Sequence, residues 1–152
     1  MSEEIAQEKG TPVRQFSVML ENRVGALSAL VGLLRQHHVE VIGLSVVDSV
    51  DVTIVRLVVS DASTVREVFL EKGVPHSLCD LVVVELREGV SQLGRCLQLL
   101  LEAEINIHFS YGLLVRPRGR PLLALNLEDR DFAIGVLDRN GFTTMCENDL
   151  AR

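Results

Sequence analysis

The segment with the most chemical potential is Leu20-Glu21-Asn22-Arg23-Val24-Gly25-Ala26-Leu27. It follows an apolar run, Val13–Leu20, and opens a stripe of Leu27, Leu30, Val31 and Leu34 at helical spacing. The pattern predicts a strand, a tight turn and a helix. A glycine at a helix start lets another backbone or a ligand come close to the helix N-terminus. The free N–H groups there, with the helix dipole behind them, favour a carboxylate. The same residues also make an ordinary turn, with Gly25 shaping the chain and Asn22 capping the helix. Residue chemistry leaves both readings open.

Other reactive side chains form no recognisable set. His37 and His38 are adjacent, so on a helix they project about 100° apart and cannot share a metal. At a helix C-terminus their role is to meet the last carbonyls. His76 and His108 fall on predicted strands without a carboxylate partner in sequence. Cys79, Cys96 and Cys146 are widely spaced, with no CxxC pair, and read as small buried hydrophobes. There is no local nucleophile triad, glycine-rich phosphate loop or HExxH pair. The expectation is a protein without catalytic residues, metal or cofactor.

Composition narrows the partners. The chain of 152 residues is 47% hydrophobic and 24% charged, with a net charge of −6. Its pI near 5.2 argues against phosphate-backbone binding as the main task. Aromatic content of 4%, with no Trp, leaves little to stack on RNA bases. No apolar run approaches the roughly 18 residues of a membrane helix. Residues 1–12 read as a flexible acidic tail without the layout of a secretion signal, so the expected location is cytoplasmic. A mean hydropathy of +0.27 points to apolar surface hidden in a homodimer or higher homo-oligomer.

The elements that must position the turn occur twice. Val13–Leu20 and Leu81–Leu86 read as strands, each followed by a helix carrying Leu27, Leu30, Val31 and Leu34, or Leu93, Leu97, Leu100 and Leu101. Val39–Val47 then matches Ile105–Val115 at an offset of 66 (105 − 39). Hairpins at Asp48–Asp51 and Pro117–Arg120 lead to strands Thr53–Val59 and Leu122–Leu127. Second helices start after Ser60-Asp61 and Glu128-Asp129 and end at Gly73 and Gly141, in keeping with acidic N-caps and left-handed glycine C-caps. Short strands near His76–Cys79 and Thr143–Cys146 close the halves. The order β-α-β-β-α-β, written twice, predicts an α+β fold of two ferredoxin-like units, each an antiparallel sheet with helices on one face. The expected domains are residues 13–80 and 81–150, with little linker between them.

Glu21-Asn22-Arg23-Val24-Gly25-Ala26-Leu27-Ser28-Ala29-Leu30, and Val39-Glu40-Val41-Ile42-Gly43-Leu44-Ser45-Val46 after it, resemble the ACT domain, a ligand-sensing module of amino-acid metabolism. Ile54–Asp61, Glu104–Ile107 and Asn140–Phe142 extend the likeness over nearly the whole chain, which is similar to stand-alone tandem ACT proteins. The resemblance implies a non-catalytic, allosteric regulator that binds a free amino acid where the first turn of one domain meets a neighbouring domain. The implied site residues are Asn22, Arg23, Val24, Gly25, Ala26 and Leu27 on the turn, with Ile42, Gly43, Leu44 and Ser45 at the facing strand start. Val24, Leu27 and Ile42 would supply an apolar wall. The second-half residues implied are Ser91 on the turn and Asn106, Ile107 and His108 at the strand start.

Departures from the family pattern separate the two halves. Val24 stands where proline usually precedes the turn glycine. Ser91 stands where the second turn would carry its glycine, whereas the family's asparagine survives as Asn106 and is Glu40 in the first half. A composite site, joining the first turn to the second domain's strand, would reconcile this asymmetry. Three alternatives compete: a regulatory subunit of a biosynthetic enzyme such as acetolactate synthase, an inert dimerisation module, and an acylphosphatase-like enzyme using Arg23. The neighbouring Glu21 and the acidic chain disfavour a phosphate at Arg23.

Overall fold

The computed structural model describes residues 10–150. The tail expected over residues 1–12 therefore lies mostly outside the described residues. Within it, Thr11 accepts a hydrogen bond from the Glu147 N–H at 2.9 Å, so this stretch is tied to the body. The described residues divide into two compact units, residues 14–79 and residues 80–150 together with residues 10–13.

In the first unit the order is β1 (Val13–Glu21), α1 (Ala26–Gln36), β2 (Val41–Asp48), β3 (Val52–Val59) and α2 (Ala62–Lys72). β3 runs antiparallel to both β1 and β2, with Phe16 opposite Leu57 and Val18 opposite Val55. Alternation along the strands turns Phe16, Val18, Val55, Leu57 and Val59 to one face. There they share a core with Leu30 and Leu34 of α1 and Val65, Val68 and Phe69 of α2. The Phe16 and Phe69 rings meet edge to face, 5.5 Å apart. Asp61 caps α2 by accepting from the Thr64 N–H at 3.1 Å, and Gly73 ends the helix at φ 68°.

The second unit follows the same plan. Strand β4 (His76–Glu85) is followed by α3 (Leu93–Glu102), β5 (Ile107–Gly112), β6 (Leu122–Leu127), α4 (Arg130–Arg139), β7 (Thr143–Met145) and a short α5 (Glu147–Leu150). β6 pairs with β4 and β5, and β7 pairs with the other side of β4, all antiparallel. Val82, Val84 and Leu125 pack against Cys96 and Leu100 of α3 and Ala133, Val136 and Leu137 of α4. Asp129 caps α4 through the Phe132 N–H at 3.1 Å.

Three expectations need correction. The two strands predicted at His76–Cys79 and Leu81–Leu86 are one strand, because Ser77-Leu78-Cys79-Asp80-Leu81 holds no turn-forming glycine or proline. On α3 the buried stripe is Cys96 and Leu100, while Leu93 and Leu101 are exposed, so the inward face is rotated from the all-leucine reading. Of the cysteines, Cys96 alone is fully buried; Cys79 and Cys146 are half-buried.

The repeat extends to the backbone. His38 (φ 59°) and Glu104 (φ 56°), 66 positions apart, both take the left-handed conformation just after a helix. Val39 and Ile105 then donate back to Leu34 and Leu100, each at 3.0 Å. His37 Nδ1 lies 3.0 Å from the Leu33 carbonyl, which agrees with the helix-end role expected of His37.

Candidate functional site

The turn between β1 and α1 is built around Gly25, which has φ 84° and ψ −4° and serves as the N-cap of α1. A side chain at this φ is strained, although no atom lies within 4 Å of where a Cβ would stand. The space beyond Gly25 is therefore open. No side chain caps the helix, so the capping role considered for Asn22 is not what the structure shows. Gly25, with no side chain of its own, has taken the cap position instead.

The backbone of the turn uses some of its donors. Arg23 N–H gives to Glu21 O at 2.9 Å, and Ala26 N–H reaches Arg23 O at 3.3 Å. The first bond onto the cap carbonyl is Ala29 N–H to Gly25 O at 2.9 Å. The N–H groups of Leu27 and Ser28 precede that bond and have no i−4 carbonyl within the helix to receive them. Asn22, Arg23, Val24 and Gly25 are exposed, Leu27 is half-buried and Ala26 is buried. Val24 is fully exposed. The nearest charges, Arg23 Nε and Glu21 Oε2, stand 3.8 Å apart in solvent and largely offset each other. The result is an uncapped, positively polarised helix end with an apolar side chain beside it.

The second turn is organised differently. Gly89 (φ 88°) precedes a 3-10 turn at Val90–Gln92, where Gln92 N–H closes onto Gly89 O at 3.2 Å. The Gln92 side chain accepts from the Glu88 N–H at 3.2 Å, and Ser91 Oγ donates to Glu88 O at 3.3 Å. Ser91 is thus committed to its own loop.

The strand-start residues sit on a repeated irregularity that sequence reasoning missed. Val41 faces Val59 and Gly43 faces Val58, so β2 has one residue more than its partner at Ile42. Ile107 faces Leu127 and Phe109 faces Asn126, which makes His108 the extra residue of β5. These two β-bulges are again 66 positions apart. Gly43 is the one sequence signal that could have announced the first, since glycine inside a strand often marks a bulge. Ile42 and Gly43 are buried, Leu44 and Ser45 half-buried, Asn106 and His108 exposed, and Ile107 half-buried against the second core.

Register separates turn from bulge within each unit. Glu21, just before the first turn, pairs with Val52, whereas Val41 at the start of β2 pairs with Val59. Seven residues of strand amount to roughly 23 Å. In the second unit Glu85 pairs with Leu122, and Ile107 with Leu127 at the far end of β6. The first turn and the bulge at Ile42 therefore lie at opposite ends of β3, and the second turn and Asn106–His108 at opposite ends of β6. Leu27 and Leu44 both pack against the first core. An apolar wall of Val24, Leu27 and Ile42 is not formed inside one unit.

Elsewhere in the second unit a groove of about 1230 Å³ runs past Arg130, Asp131, Asp138, Thr144 and Cys146. Among the described residues no three His, Cys, Asp or Glu side chains are grouped to hold a metal ion. Nor, among the described residues, is any helix long and apolar enough to cross a membrane.

The profile of one family, described as an ACT domain pair, matches residues 11–152. No curated protein matches the chain by sequence. Among solved structures, a protein from Bacteroides thetaiotaomicron superposes with a TM-score of 0.84 at 19% identity, covering 95% of this chain and 99% of that one. The regulatory subunit of aspartate kinase from Thermus thermophilus, in its ligand-free form, gives 0.58 at 16% identity, covering 83% and 90%. A structure of aspartokinase alpha and beta subunits gives 0.57 at 16% identity over the same shares. At these identities the likeness is one of fold.

Proposed function

The chain belongs to the ACT domain pair family, and we propose that it is a non-catalytic regulator that binds a free amino acid at the turn of residues 22–27. The observation that carries this reading is Gly25 acting as a left-handed, side-chain-free N-cap over an open helix end. The α-carboxylate of an amino acid is the ligand such an end suits: backbone N–H groups of the first turn donate to it, and the helix dipole favours its charge. Val24 and Leu27 favour an apolar side chain beside it. The regulatory subunit of aspartate kinase among the similar structures supports a regulatory role by analogy of fold.

In this reading the strand-start half of the site is supplied by a second copy of the chain, since register holds the first turn and the bulge at Ile42 at opposite ends of β3. Ligand binding is thereby coupled to how copies of the chain associate, which is how a protein without catalytic machinery can pass on a signal. The second turn plays no equal part, because Ser91 and Gln92 are spent on their own loop. A small ligand and a regulated protein partner in the cytoplasm complete this reading.

A dye-based thermal-shift screen against the twenty amino acids tests it. A ligand at 100 times its Kd stabilises the fold by about 2.7 kcal/mol. At roughly 2–4 °C per kcal/mol the melting point rises by several degrees. A shift with one or two related amino acids supports the sensor. No shift with any of them removes the amino-acid reading for the isolated chain and favours the inert module.

A further inference from the structure

The equivalent hairpins of the two units carry opposite charge. Asp48 and Asp51 stand on the β2–β3 hairpin, while Arg116, Arg118 and Arg120 stand on the β5–β6 hairpin of an otherwise acidic chain. We propose that the basic hairpin of one copy of this protein docks on the acidic hairpin of a second copy. This rests on no part of the amino-acid reading.

Both tips are fixed in advance. On the acidic hairpin the Ser49 N–H and Oγ both donate to Val52 O, at 3.0 and 3.1 Å, and Thr53 Oγ1 donates to Asp48 at 3.2 Å. On the basic hairpin Arg118 (φ 58°) and Gly119 (φ 74°) are consecutive left-handed residues. That tip is closed by Gly119 N–H to Arg116 O at 2.8 Å and Arg120 N–H to Pro117 O at 3.2 Å. A left-handed arginine costs conformational energy that a plain turn avoids by using glycine or asparagine. Here it leaves Arg118 exposed at the tip. Arg120 turns back to Glu85. Arg116, Arg118 and Asp51 are exposed and form no ion pair among the described residues.

Each tip also presents an apolar side chain beside its charges. Val50, between the two aspartates, is 94% exposed, and Leu114, two residues before Arg116, is 65% exposed. Exposed ion pairs hold only weakly, because solvent screens them. The charges therefore choose which surfaces meet and speed the encounter, while the apolar contacts add holding energy. A nucleic acid is a poorer occupant, because a net charge of −6 repels its backbone. A second copy supplies the complementary acidic tip already shaped.

Sedimentation velocity of the full chain over a concentration series tests the contact. Wild-type protein should self-associate, and more weakly at 500 mM than at 50 mM salt. Arg116→Asp/Arg118→Asp and Asp48→Arg/Asp51→Arg should each weaken association about tenfold or more. A 1:1 mixture of the two variants should recover it, since each then supplies the tip the other lacks. Circular dichroism checks that both are folded; should either misfold, the neutral pair Arg116→Ser/Arg118→Ser must weaken association instead. A monomeric wild type, association unmoved by these substitutions, or a mixture no better than its parts overturns the proposal.

Discussion

Arg120 Nη1 stands 2.9 Å from Glu85 Oε1, and Arg87 Nε reaches the same oxygen at 3.3 Å. Glu85 is 3% exposed near the end of β4, so the pair ties the β5–β6 hairpin to that strand through a desolvated carboxylate. Removing one partner of a buried pair leaves the other charge uncompensated, which costs more than the pair itself is worth.

Arg120→Ala should therefore destabilise the protein by roughly 1–3 kcal/mol, less than a complete loss because Arg87 remains. Arg87→Ala should cost less, since the Arg87 side chain is more exposed than that of Arg120. Urea unfolding midpoints of the two variants and of Glu85→Gln/Arg120→Ala check the ranking. Equal midpoints for wild type and Arg120→Ala would remove the pair as a structural tie.

Gly25→Asp should abolish any amino-acid-induced thermal shift by placing a carboxylate at the helix end. Its own melting point should fall by an amount reflecting about 1–2 kcal/mol of left-handed strain. Asn22→Ala should leave stability within about 0.5 kcal/mol of wild type, because no side chain caps α1. Asn106→Ala, on the exposed strand start of the second unit, should weaken ligand binding without changing the melting point of the free protein. Thermal unfolding reads the stabilities, and titration calorimetry against the amino acid found in the screen reads the binding.

His38→Gly and Glu104→Gly should each stabilise the fold by about 0.5 kcal/mol. Glycine relieves the left-handed strain at φ 59° and 56° and returns part of the gain as unfolded-state entropy. Similar gains from both are expected because the two sites share one cap geometry. A loss at either site by thermal unfolding would mean that its side chain has a role beyond ending the helix.

Burial pushes the Cys96 thiol up to about 11 from its ordinary value. The neutral thiol is favoured in the folded chain, so its contribution to stability is intact below pH about 9. It is lost as pH rises from there through about 11. A thiol reagent at pH 8 should label Cys79 and Cys146 ahead of Cys96, with Cys96 reacting only on unfolding. Fast labelling of Cys96 in the folded protein would contradict its burial.

Much of this fold is legible locally. Asp61, Asp129, Gly73 and Gly141 announce helix ends because capping needs only a few neighbouring residues. The 66-residue offset survives to the level of single backbone angles at His38 and Glu104. The candidate turn at Gly25 is equally visible, because a glycine between a strand and an apolar helical stripe has few other uses. What failed locally was the face of α3: leucines at all-apolar spacing do not say that Cys96 points inward and Leu101 outward.

The repeated order of strands and helices, their caps and the glycine turn are written in the chain locally, since periodicity and capping act within a few residues. Tertiary structure decided the continuity of His76–Glu85, the bulges at Ile42 and His108, and the pairing of Glu85 with Arg120. It also set the distance between turn and strand start, on which the completeness of the site depends. These features follow from register between strands far apart in the chain, and register is fixed by which buried faces must coincide once the sheet has formed.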